Sequence, residues 1–249
     1  MVKSSTRSVA QAFWGAAGQS SSFPRDLEGA VAWAIPAAIV RVPTLWVQDV
    51  EIYLRQRQLP IPAIRAEDRP LHGCVCAYAG RGLIFLDGTD RINEIRFTLA
   101  HEVAHFLLDY LNPRQRAVEK LGSEITAVLD GHRPATLAER VDALLARAHI
   151  GFYVHFMHRS GGEIEVEEIA TAENDADQLA LELLAPEGEV HCLLPLDFSK
   201  KTYKQREINV RRLLVGRFGV PPSIAGAYAS QLCRQWFNGP SFKEWLGVR

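Results

Sequence analysis

From Arg91 to Leu111, the apolar residues Ile92, Ile95, Leu99, Val103 and Phe106 recur every three or four positions. Phe97, Ala100, Ala104 and Leu108 add a second apolar face. A helix apolar on so many sides is buried, and Asp90 stands where it can cap the first turn. Helices are also predicted over residues 26–35, 44–59 and 171–184; prolines 60 and 62 end the second, and Pro186 with Gly188 ends the third. Residues 113–149 read as two more. The second opens on a capping box, Thr136 with Glu139, and carries Leu137, Val141, Leu144, Leu145 and Ala148. Two or three short helices follow Tyr203.

Strand signals are fewer. Residues 73–79 and 83–86 are β-prone runs around the turn Gly80-Arg81-Gly82, which predicts a hairpin. Residues 151–157 are aromatic and β-branched and read as a strand. The acidic alternation at 163–168 reads as a solvated strand or loop. The succession predicts an α+β fold: a mainly helical body with a small sheet beside the long buried helix.

The chain has 249 residues, 47% of them hydrophobic, enough for one sizeable core with a small appended module. The expected organisation is a flexible N-terminus over 1–22, rich in Ser, Ala and Gly, with a short helix over 9–16. A main domain over 23–198 and a helical C-terminal region over 199–249 follow. The net charge of −1 gives no overall preference for nucleic acid or membrane. The longest apolar stretch, 30–40, is too short to span a bilayer, and residues 1–22 lack the apolar core of a signal peptide. A cytoplasmic protein is expected, with reduced thiols at Cys74, Cys76, Cys192 and Cys233 and no Cys-based zinc site.

The candidate chemistry lies inside the buried helix, in His101-Glu102-Val103-Ala104-His105. Residues i and i+4 share a helix face, so both imidazoles can reach one ion, and neutral imidazole suits zinc. Glu102, one residue round the helix, can lean over the open side of the metal and take a proton from its water. The plain alternative is a pair of core histidines beside a glutamate. Burying two imidazoles and a carboxylate without partners is costly, which favours a metal. A third ligand is sought downstream. Glu173 and Asp177 stand at i, i+4 at the start of a helix, one carboxylate for the metal and one to accept a hydrogen bond from a ligating imidazole. Glu173 could equally be a carboxylate favoured by the helix dipole, and spacing does not choose.

His149, His155 and His158 follow the 113–149 segment, and His155 is the best candidate to stabilise an oxyanion, with Tyr153 behind it. A surface or core histidine is the plain alternative. Lys200, Lys201, Lys204, Arg206, Arg211, Arg212 and Arg217 form a basic run, and residues 216–232 look helix-turn-helix-like. A solvated face is the plainer reading of this run, and packing that of Leu213, Leu214, Phe218, Val220, Ile224 and Leu232. Trp236, Phe237, Phe242 and Trp245 are expected to dock on the body or on a second copy.

Two segments, RFTLAHEVAHFLL (96–108) and ENDADQLALELLAP (173–186), resemble the paired signatures of the ImmA/IrrE family of zinc metallopeptidases, and GCVCAYAGRGLIFLD (73–87) resembles the hairpin before that family's active-site helix. The resemblance implies a zincin-like fold. It implies zinc ligands at His101, His105 and Glu173, with Asp177 at the family's Asn/Asp position. It also implies the cleavage of a helix-turn-helix transcriptional repressor. The 67 residues from Phe106 to Ala172 exceed the usual link, and the excess, 113–168, reads as a helical insertion. The expected function is zinc-dependent endopeptidase. The rival is a zinc-containing regulator without turnover that binds a repressor or DNA through its C-terminal region.

Overall fold

The computed structural model describes residues 4–18, 22–59, 68–159 and 167–237. Its sheet has four strands in the order β1 (Ala37–Val42), β3 (Arg81–Asp87), β2 (Leu71–Tyr78) and β4 (Tyr153–His158). β2 and β3 form the expected hairpin around Gly80, whose φ of +77° needs no Cβ. β1 runs parallel to β3, and β4 pairs antiparallel with β2, with Val75 opposite His155.

The period of two divides the side chains between two cores. Cys74, Cys76, Phe85, Val154 and Phe156 pack on one face against α3 (Val47–Gln56). Val75, Ile84, Leu86, Tyr153 and Met157 pack on the other against α4 (Ile92–His105). Beyond α4 lie α1 (Ser4–Ala16), α2 (Leu27–Ala34) and α8 (Glu167–Leu184). The helices α9 (Glu187–Cys192), α10 (Tyr203–Gly216) and α11 (Pro222–Phe237) complete this core through Val190, Val210, Leu214, Tyr228 and Leu232. The fold is therefore α+β, mainly helical with one small sheet. Among the described residues no helix is long and apolar enough to cross a membrane.

Several elements differ from expectation. The segment 1–22 supplies α1, whose Phe13 and Trp14 are buried against the core, with Trp14 Nε1 donating to Leu183 O at 3.2 Å. β1 lies in a short apolar run between Pro36 and Pro43 that carries no readable period. Asp90 does not cap α4. Arg91 holds that position without a side-chain bond, and Asp90 instead receives His72 and Arg159. Where two helices are expected over 113–149 there are three α-helices, α5 (Asn112–Leu121), α6 (Thr126–Leu129) and α7 (Leu137–Leu145), and the expected strand follows as β4. Thr136 and Glu139 form the expected capping box. α8 begins at Glu167, so Glu173 lies past its first turn, where the helix dipole no longer accounts for it. In the basic run, Arg206 is engaged by Phe198 O, Ser199 O and the Phe237 ring. Residues 163–166, Phe242 and Trp245 lie outside the described residues.

Candidate metal centre

α4 turns one end of its face toward β4 and α8, and that end carries His101, Glu102 and His105. All three are buried, Glu102 completely. The helix reaches this depth because β2 lies almost flat on it. A Cβ on Gly73 would sit 2.4 Å from Thr98 Cγ2 and 3.3 Å from Glu102 Cγ, so glycine is what lets strand and helix approach. After His105 the helix widens into one π-helical stretch, Phe106–Leu111. Its Tyr110 hydroxyl accepts from Gly80 N at 2.8 Å, which ties the helix end to the β2–β3 turn.

The two imidazoles are oriented from behind. His101 Nδ1 donates to Asp177 Oδ1 at 2.9 Å and His105 Nδ1 donates to Asp109 Oδ2 at 2.7 Å. Each ring thus turns its Nε2 toward the same point, and the two Nε2 atoms lie 3.1 Å apart. Glu173, from α8, brings Oε2 to 3.3 Å from His101 Nε2 and Oε1 to 3.6 Å from His105 Nε2. A tetrahedral ion with bonds of about 2.0 Å has edges of about 3.3 Å, so these separations fit one small divalent cation. Two Nε2 lone pairs aimed at each other at this distance repel unless a proton or a metal cation lies between them.

His155, from the middle of β4, closes the group. The pleat that puts Tyr153 and Met157 on the α4 side puts His155 there too. Its Nε2 lies 2.9 Å from Glu173 Oε1, its Nδ1 lies 3.1 Å from Glu102 Oε2, and its ring stacks on His105 with centroids 3.6 Å apart. The ligand atoms of His101, His105, His155 and Glu173 all lie within 4.8 Å of one another, and the four can hold a metal ion. The fit is supported by an orphan: Glu102 Oε1 is buried and has no hydrogen-bond partner. A buried carboxylate oxygen without a donor needs a water or an ion.

The electrostatics point the same way. Burial alone would lower the pKa of His101, but Asp177 and Glu173 overcome it and raise the value to about 9. Burial likewise opposes charge on His155, and Glu102 and Glu173 reverse it, to about 10. Burial would raise Glu173, yet hydrogen bonds from His101, His105 and His155 hold it well below the usual carboxylate range. A field of carboxylates that favours protons on imidazoles favours a dication in their place.

The structure thus brings together His101, Glu102, His105, His155, Glu173 and Asp177. It leaves out His149, which bonds Phe152 O, and His158, which faces Arg69. Tyr153 reaches the edge of the site, where its hydroxyl donates to Asp109 at 3.3 Å, and burial raises its pKa. Asp109 is the residue that sequence reasoning passed over. Its signal was present: a carboxylate four residues beyond the second histidine of the motif. No protein-family model matches this sequence, and no curated protein does.

Proposed function

We propose that the chain is a zinc-dependent endopeptidase with a zincin-like active site. The observation that carries the reading is the convergence of His101 Nε2 and His105 Nε2 at 3.1 Å, each oriented by a carboxylate on Nδ1, with Glu173 beside them and Glu102 held by His155. Zinc is the favoured ion because two neutral imidazoles and one carboxylate are a donor set it takes in hydrolytic sites. Bound there, it would lower the pKa of a water and polarise the scissile carbonyl.

The residues supply the rest. His101, His105 and Glu173 hold the ion, and Asp177 and Asp109 fix the two rings so that Nε2, not Nδ1, faces it. Glu102 takes the proton from the attacking water and passes it to the leaving amine. An unpartnered oxygen on a fully buried carboxylate suits a base that waits for a water. His155, once its ring swings away from Glu102 and Glu173 toward a substrate, would offer an N–H to the developing oxyanion. The resemblance in the two helical segments extends the proposal to the substrate: a helix-turn-helix repressor whose loss relieves repression.

The rival is a zinc-containing regulator without turnover, and one observation favours it. His155 makes a fourth protein donor, and closed four-donor shells are typical of structural zinc sites. Incubation of the zinc-loaded chain with the repressor encoded beside its gene, followed by mass spectrometry, separates the two. Discrete fragments with the wild type and none with Glu102→Gln support the peptidase; an intact repressor in both sinks it.

A further inference from the structure

Four donors and one base converge in this site, and a single side chain touches both functions. With Nδ1 donating to Glu102 Oε2 at 3.1 Å, the free lone pair of a neutral His155 is on Nε2. That atom faces Glu173 Oε1 at 2.9 Å and lies within 4.8 Å of the ligating nitrogens of His101 and His105. The ring is held flat on His105, the planes inclined by 21°. A histidine that only offered a proton to substrate would not need its second nitrogen tied to the base.

We propose that His155 is a displaceable fourth ligand that keeps the site latent, an inference that rests on the metal-centre reading above. With His155 in place a bound ion would have four protein donors and no position for water, and Glu102 Oε2 is engaged by Nδ1–H. Withdrawal of this one ring frees both at once: a coordination position opens, and Glu102 Oε2 loses its donor. The strand that carries the ring is suited to such a movement. β4 is an edge strand, bonded to β2 alone among the described strands, and all six of its residues are only partly buried. It lies between a bulge of β2 at Leu71–Gly73 and the Tyr153–Asp109 contact, whereas His101 and His105 are fixed inside a buried helix. A substrate or partner that engages the β4 edge thereby acts on the metal shell without touching the other ligands.

The test is X-ray absorption on the zinc-loaded full chain, which counts imidazoles. The resting wild type should show three, and His155→Ala two with a light oxygen donor in the vacated position. Cobalt substitution gives a second readout. The visible spectrum of the wild type should resist azide, and that of His155→Ala should change at azide concentrations at least tenfold lower. His155→Gln, which keeps most of the volume, serves if the alanine variant does not fold. Two imidazoles in the wild type, or equal azide sensitivity in wild type and variant, would overturn the latency proposal and leave the peptidase reading standing. A wild type that binds no metal would overturn both.

Discussion

Glu102 Oε2 and His155 Nδ1 lie 3.1 Å apart across the gap between α4 and β4, so the motif's only acid is held by a residue 53 positions away. The consequence concerns the base. Glu102→Gln keeps the size and most hydrogen bonding but removes the proton acceptor. Zinc should stay bound, because neither His101 nor His105 loses its orienting carboxylate. Hydrolysis should fall by about 10²–10⁴-fold, the usual worth of general-base help. Paired elemental analysis and cleavage assays check this; full activity with zinc bound would exclude Glu102 as the base.

Asp109 and Asp177 act through the histidines behind which they stand. Asp109→Asn and Asp177→Asn should each weaken zinc binding by roughly 10–100-fold, as loss of an orienting partner does. Asp177 is 52% exposed and Asp109 30%, and Asp109 also receives Tyr153, so Asp109→Asn should be the more damaging. Competition against a chromogenic chelator measures both. Unchanged affinity in both variants would show that the rings are oriented by packing alone.

Gly73→Ala should destabilise the fold by about 1–3 kcal/mol, the usual cost of forcing a methyl into a filled core. The added Cβ meets Thr98 Cγ2 at 2.4 Å, and Thr98→Ser removes that methyl. The double variant Gly73→Ala/Thr98→Ser should therefore regain part of the loss in urea titration. A single Gly73→Ala variant as stable as wild type would mean that β2 does not rest on α4 as described.

Asp87 anchors the segments around the sheet. It accepts from Leu45 N at 2.8 Å and Thr89 N at 2.7 Å and pairs with Arg159 at 2.8 Å. Burial opposes its charge, but these donors hold its pKa at about 2, below the ordinary 3.8. A depressed carboxylate contributes stability above the unfolded pKa and loses it as pH falls through the folded one. The contribution, about 2 kcal/mol by the usual conversion, is complete at neutral pH and fades between about pH 4 and pH 2. Asp87→Asn should be less stable than wild type by at least that amount at pH 7, with the gap closing toward pH 2. Parallel denaturation curves in chelator, with the same gap at pH 7 and pH 2.5, would contradict the ionic role.

The helix that carries the histidines is legible because one local period carries it: apolar residues at 95, 99 and 103 bury it, and i, i+4 aligns the histidines. Glu173 was legible as a carboxylate on a helix, but its approach to His101 depends on α8 packing beside α4, which no local spacing encodes. The early start of α8 was hidden by its acidic first turns, which read as a solvated segment. β1 is not readable because a six-residue run between two prolines, apolar but for Arg41, fits a strand and a buried helix alike. The strand at His155 was readable from its aromatic and β-branched residues. Its place at the edge beside β2 was not, so the 113–168 segment looked like an ornament when its last strand carries a member of the site. Asp109 sat at readable spacing and was passed over because the helix there looked uniformly apolar.

One measurement bears most directly on the claim that His101 and His105 share a metal ion. The chain, purified without added metal and dialysed, is assayed for zinc alongside the double variant His101→Ala/His105→Ala. About one zinc per chain in the wild type and none in the variant is the expected result, since structural and catalytic zinc alike depend on such donors. A folded wild type that cannot be loaded with zinc, or a variant that keeps it stoichiometrically, would contradict the account.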